Sequence, residues 1–328
     1  MAEAFKALGY DVDVVNFDFA GKLDWSRYQA VMGAGAVLLE LFKEAPEPFP
    51  KTILYSPGVH NHVQNLATLR RVAEVRDKRG KWLLESGRFQ ELDLTALACI
   101  VDGVAVVGNE VAARTYRDRT SRPVCPLPLF FHPVLDGRAI ARDKDYARAR
   151  REVLWFGSTG LIHKGLDLAL EAFVQRPEWT LHVCGPLSRE PRFVECYKRE
   201  LTEFPNIRVH GFLDLNGDTF RDLMTRCAFT LLASCSEGGA GGIVAASGNG
   251  GLMPLVSREV STDVGDFGWE LRDLSTTAIL EMLDFLDSVP EQELRDRALA
   301  GVEVLMQRHD LETYRAALRG FMGEILSS

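Results

Sequence analysis

The chain has 328 residues, 46% of them hydrophobic and 26% charged, with a formal net charge of −8. That length accommodates two domains, and that balance excludes a charge-rich, apolar-poor disordered chain. The excess of acidic residues lies beyond residue 151, which excludes a general nucleic-acid binder because phosphate neutralisation needs a basic surface.

The opening stretch AEAFKALG, ending at Gly9, reads as a helix feeding a strand at 12–15. A doubly wound domain normally opens on a strand and a phosphate-facing turn, so the first strand is expected to be missing. No basic segment followed by an apolar core marks a leader, and no apolar run reaches the roughly 18 residues of a membrane span. Cys99, Cys125, Cys184, Cys196, Cys227 and Cys235 lie far apart, without CxxC or a Cys/His cluster at metal spacing. They read as buried thiols of a reducing cytoplasm, with no metal site.

Val- and Ile-rich runs at 12–15, 30–32, 53–55 and 104–107 predict buried parallel strands, and those at 153–156, 181–184, 207–209 and 229–232 predict a second set. Helices are expected at 64–80, 166–175, 192–203 and 218–226, and again at 275–287 and 291–326. Strands alternating with helices imply α/β domains with parallel sheets. His60 and His62 follow the strand at 53–55 on its carboxyl side, where ligands of open α/β sheets bind; a zinc site there would lack a third ligand. Arg70, Arg71, Arg76, Lys78, Arg79 and Lys81 precede Trp82. They form either a solvated face or, over 70–83, a peripheral contact with an anionic membrane surface.

The proline-rich VCPLPLFFHPV at 124–134 and the charged, apolar-poor 135–151 read as the connection between domains. The predicted division is a first domain at 1–134, a linker at 135–151 and a second domain at 152–309. The last helix, at 310–328, is expected to pack back on the first domain.

Two segments carry the chemistry. WFGSTGLIHKGLDLALEAF, at 155–173, matches neither a P-loop nor GxGxxG. It offers Lys164 just before an amphipathic helix, with Ser158 and Thr159 in the turn after Gly157. SEGGAGGIVAASGNGG, at 236–251, lets backbone N–H groups approach an anion at the start of a helix near Gly242. A tight glycine turn without ligand is the alternative; two such turns together read as a diphosphate clamp.

In their order, FGSTGLIHKGLDLALEAF, LHVCGP, IRVHGFLD and LLASCSEGGAGGIVAASGNGGLMPLVS resemble the carboxyl-terminal domain of retaining glycosyltransferases of family 4, over about 152–270. GYDVDVVNF, YQAVMGAG, ILYSPGVHNHVQN and VAVVGNE resemble that family's amino-terminal domain more loosely. The resemblance implies the GT-B fold, two Rossmann-like domains facing across a cleft. It also implies transfer of a sugar from a nucleotide-diphosphate donor to a sugar, lipid-linked or other hydroxyl acceptor, with retention and without an obligatory metal or other cofactor. On this resemblance Glu237 is the first glutamate of the E-x7-E motif, beside the donor sugar, and His60 stands near the reaction centre. Lys164 meets the diphosphate, with Gly157 and Ser158 in its turn and Gly238, Gly239, Ala240 and Gly241 along the opposing loop. The motif's second glutamate falls on Ala245, and its turn arginine is replaced, with Ser158 nearest.

A transferase is the leading expectation. A GT-B protein that binds a nucleotide or sugar without turnover is the alternative. A nucleotide-sugar epimerase would need an acid/base pair, and the sequence offers no clear second catalytic carboxylate.

Overall fold

The apolar runs assemble into two parallel sheets in a computed structural model, which describes residues 1–16, 19 and 21–327. The first sheet contains β1 (Ala30–Gly33), β2 (Lys51–Ser56), β3 (Gly103–Val107) and β4 (Val124–Leu127), side by side in that order. The second contains β5 (Glu152–Phe156), β6 (Thr180–Cys184), β7 (Ile207–Gly211), β8 (Phe229–Leu232), β9 (Met253–Val256) and β10 (Trp269–Glu270). Its spatial order is β10-β9-β8-β5-β6-β7. Strands such as 104–107 and 229–232 read as unbroken apolar runs because both of their faces are buried.

The order of the second sheet positions the site. From β5 the chain winds outward through β6 and β7, then returns to lay β8 on the other side of β5. At such a reversal the connections leave the sheet in opposite directions and open a crevice at the carboxyl ends of the two strands. The glycine-rich turns at 157–165 and 233–242 both begin there.

Several expectations change. Residues 12–15 lie outside both sheets, with Val14 81% exposed; among the described residues β1 pairs only with β2, and a strand-forming run without a neighbour to pair with has no ladder to join. Residues 124–127, read as too proline-rich for regular structure, form β4. Pro126 is tolerated because β4 is an edge and pairs only with β3. The stretch 135–151 holds helices Gly137–Asp143 and Tyr146–Ala149, and buries Ala141, Tyr146 and Ala149. Two of its acidic residues, Asp136 and Asp145, are helix caps that accept from Ala139 N and Arg148 N. The helix expected at 192–203 is two, Pro191–Cys196 and Lys198–Thr202. Likewise 291–326 divides into Glu291–Arg308 and Leu311–Ser327, where Asp310 accepts from Thr313 N and starts a new helix. Tyr314, Leu318, Phe321, Met322 and Ile325 of that last helix pack with Ile53, Ala105 and Leu127 of the first sheet.

Lys144 is buried in the same 135–151 stretch. Its Nζ donates to Cys227 O at 2.6 Å and Gly250 O at 2.9 Å, the ends of helices Asp218–Arg226 and Gly241–Gly250. A cation suits those carbonyls, but burial pushes its pKa down from 10.5 to about 7. Between those values the unfolded chain holds a proton that the folded one lacks, so stability rises with pH from about 7 to 10.5. Lys144→Met is expected to flatten this rise. Urea midpoints compared across pH 7 to 9 measure it, and parallel curves for the two proteins would refute it.

The helix Asn61–Arg79 connects the halves. Val72 and Val75 on it, and Leu83 just beyond, are buried in the core of the second half. Arg71, 3% exposed, donates to Asp167, 1% exposed, at 2.6 Å. Lys78 pairs with Glu171 at 3.1 Å and Arg79 with Glu200 at 2.9 Å. The basic cluster therefore turns three of its six cations toward carboxylates of the second half. Among the described residues, no helix is long and apolar enough to cross a membrane.

Candidate functional site

Lys164 ends the turn after β5. Its position depends on Gly165, which adopts φ +68 and lies so close to Ala233 O that a side chain would collide with it. The Lys164 ammonium is thereby directed at the loop after β8, where it donates to Glu237 Oε1. Ser234 Oγ donates to the same oxygen at 3.1 Å. Burial pushes the Glu237 carboxyl upward, but Lys164, His163 and Arg88 outweigh it and hold the pKa below the usual value. Glu237 is an anion fixed by donors. For Lys164, burial, aided by the Arg88 charge, outweighs Glu237 and lowers the ammonium from its ordinary value.

His163 is fixed beside this pair. Its Nε2 lies 2.6 Å from Ser236 O, an acceptor only, and its Nδ1 lies 2.8 Å from Thr68 Oγ1. The proton therefore sits on Nε2 and Thr68 donates to Nδ1. Burial lowers its pKa to about 4, so His163 is neutral at pH 7.

The two halves touch at this point. Gly238 packs on Pro57 and Gly58, with no room for a Cβ, and Gly239 (φ +88) lies beside Gly108 and Leu129. The N–H groups of Glu237 and Gly239 are already bonded, to Glu259 O at 2.9 Å and Val260 O at 3.2 Å. The helix Gly241–Gly250 begins next to them without a side-chain cap, after Ala240 at φ 40. Gly242 lies against Phe156 O at the end of β5. The first turn, without a side-chain cap and with its positive dipole end, thus opens where β5 and β8 diverge. Ala245 is buried within this helix.

The opposing turn is arranged differently from the sequence expectation. Gly160 N and Leu161 N donate to the buried Glu190 carboxylate at 2.5 and 3.0 Å. Gly157 N bonds Cys184 O at 3.0 Å, and Ser158 is exposed. Two N–H groups of this turn therefore hold a carboxylate of the chain itself.

His60 stands apart from the Lys164–Glu237 pair. Its ring is buried against Tyr116, its Nδ1 accepts from His62 N at 3.3 Å and its Nε2 lies 3.4 Å from Thr95 Oγ1. It caps the helix Asn61–Arg79, and burial, with Arg119 next, lowers its pKa to about 4. All of these contacts lie within the first half. His62 pairs with Asp93 at 3.4 Å.

Sequence reasoning missed Arg88, Ser234 and Glu190. Arg88 sits in a loop with no motif, yet its Nη1 approaches Glu237 Oε2 at 3.5 Å. Ser234 lies two residues before the segment singled out at 236–251. A cavity of about 340 Å3 runs between the halves, lined by Asn109, Leu129, Gly239, Asp263 and Arg308 among others. Among the described residues, no group of three His, Cys, Asp or Glu side chains is arranged to hold a metal ion.

No family model matches the chain, and no curated protein matches it. Solved structures do. HepE from Anabaena, in complex with UDP and glucose, matches with a TM-score of 0.60 at 10% identity, over 91% of this chain and 79% of that one. Sucrose-phosphate synthase from Thermosynechococcus elongatus matches with 0.64 at 14% identity, over 92% and 74%. A UDP-forming α,α-trehalose-phosphate synthase from Burkholderia vietnamiensis matches with 0.61 at 11% identity, over 91% and 72%. Identities this low carry the fold alone. It is the α/β GT-B fold, with parallel sheets of four and six strands.

Proposed function

We propose that this chain is a glycosyltransferase that moves a sugar from a nucleotide-diphosphate donor to an acceptor hydroxyl, retaining its configuration and needing no metal, in the manner of family 4. The observation that carries the reading is the Lys164–Glu237 pair at the strand reversal, beside the uncapped start of the helix Gly241–Gly250. In this reading Lys164 and the helix dipole stabilise the charge that develops on the departing diphosphate. Glu237 lies beside the sugar, where a carboxylate favours an oxocarbenium-like centre. Gly238 and Gly239 let the loop approach the donor closely, with Gly157, Ser158, Ala240 and Gly241 lining the same crevice. His60 acts by placing the start of its helix at the crevice rather than by proton transfer. The domains at 1–134 and 152–309, joined through 135–151, supply the acceptor and donor sides. The acceptor is a sugar, a lipid-linked sugar or another hydroxyl. A membrane contact over 70–83 would rest on Arg70, Arg76, Lys81 and Trp82, since Arg71, Lys78 and Arg79 are engaged with carboxylates of the second half.

A panel of UDP-, GDP- and ADP-sugars with sugar acceptors, assayed for release of nucleoside diphosphate, tests the proposal. Turnover with at least one donor is expected. Lys164→Ala should weaken binding of that donor roughly 10- to 100-fold, the worth of one charge-assisted contact; unchanged affinity would remove Lys164 from the site. Binding without release would favour the second reading, a protein that holds a nucleotide or sugar without turnover. Ala245 in place of a second motif glutamate supports that alternative.

A further inference from the structure

The cations that face Glu237 come from both halves, and one of them has no part in the reading above. Arg88 lies in the loop after the helix Asn61–Arg79, where its carbonyl accepts from the Gln64 amide at 2.5 Å. Its stem crosses the turn after β5 at Gly160 (φ +89), where a Cβ would strike Arg88 Cγ. Glu237 is thus bridged, Lys164 of the second half on Oε1 and Arg88 of the first on Oε2.

Two features set Arg88 apart from a surface arginine that happens to meet a carboxylate. Its side chain is 43% exposed while those of Lys164 and Glu237 are buried, so it stands on the open side of the pair. Its planar fork carries five N–H donors, and among the described residues its only hydrogen-bond or ion-pair partner is Glu237, at 3.5 Å. With His163 neutral, two cations, Lys164 and Arg88, face the Glu237 carboxylate from opposite sides. An entering anion would meet an unsaturated guanidinium first and a buried ammonium behind it.

We propose that Arg88 is a diphosphate-binding residue supplied by the first half. It and Lys164 hold the donor's phosphoryl groups from opposite halves, so that donor binding ties the halves together. The inference rests on the donor reading above and extends it to a residue from across the crevice.

Calorimetric titration of the wild type, Arg88→Ala and Arg88→Lys with UDP, GDP and ADP, and with uridine, guanosine and adenosine, tests it. Loss of one charge-assisted contact should weaken the diphosphate that the wild type binds roughly 10- to 100-fold in Arg88→Ala. Nucleoside affinity and thermal midpoint should stay unchanged, and Arg88→Lys should recover part of the loss. Unchanged diphosphate affinity in Arg88→Ala, or an equal loss for the nucleoside, overturns the role of Arg88 and leaves the donor reading standing. A wild type that binds none of the three diphosphates overturns both.

Discussion

Glutamine in place of Glu237 is expected to reduce sugar transfer at least about 100-fold, the usual effect of removing one preorganised electrostatic group, while the protein stays folded. Glutamine keeps the shape and can still accept from Lys164 and Ser234, so it removes charge with little loss of packing. Glu237→Ala is a harsher change. It strands the Lys164 ammonium, 6% exposed, without its carboxylate, and a buried group left unpaired costs about 1–3 kcal/mol or more. Initial rates and thermal midpoints on both variants separate the two effects. Near wild-type turnover in the glutamine variant would end the proposed role.

The largest stability effect is expected at Arg71. Burial pushes the Asp167 carboxyl upward, and Arg71 brings it only part of the way back. The Nε of Arg71 and the Oδ1 of Asp167 have no hydrogen-bond partner among the described residues. The pair is therefore poorly compensated as a pair and worse when broken. Arg71→Ala should lose about 3–5 kcal/mol in urea denaturation, and Arg71→Met with Asp167→Leu should lose much less, because no charge is then left buried. Equal losses in the single and double variants would contradict this account.

Much of the architecture was legible because its signals are local. A strand buried on both faces must be apolar throughout, and 104–107 and 229–232 are. The same rule misled at 12–15, where a suitable run has no neighbour in the sheet, since pairing is not a property of the run itself. It failed in the other direction at Pro126, whose missing N–H matters only if a second strand lies alongside. Within the site, the residues that stood out in the sequence were those on glycine-rich turns, because turn chemistry is written in adjacent positions. Arg88 and Glu190 carry no such mark. Arg88 meets Glu237 across 149 positions of sequence, and Glu190 meets Gly160 across 30. His60 shows the opposite limit: a residue at the right place in a loop can still direct its ring into the core of its own half.

The helix Asn61–Arg79 also bears on how the molecule could be divided. The stretch 135–151 invites a cut, with the two pieces expressed separately. Such a cut would leave the first piece displaying Val72, Val75 and Leu83 to water, and the second with an open trough and the unpaired Asp167 at its base. Each fragment would carry a sticky surface matched to the other, and the pieces would be recovered most readily by refolding them together.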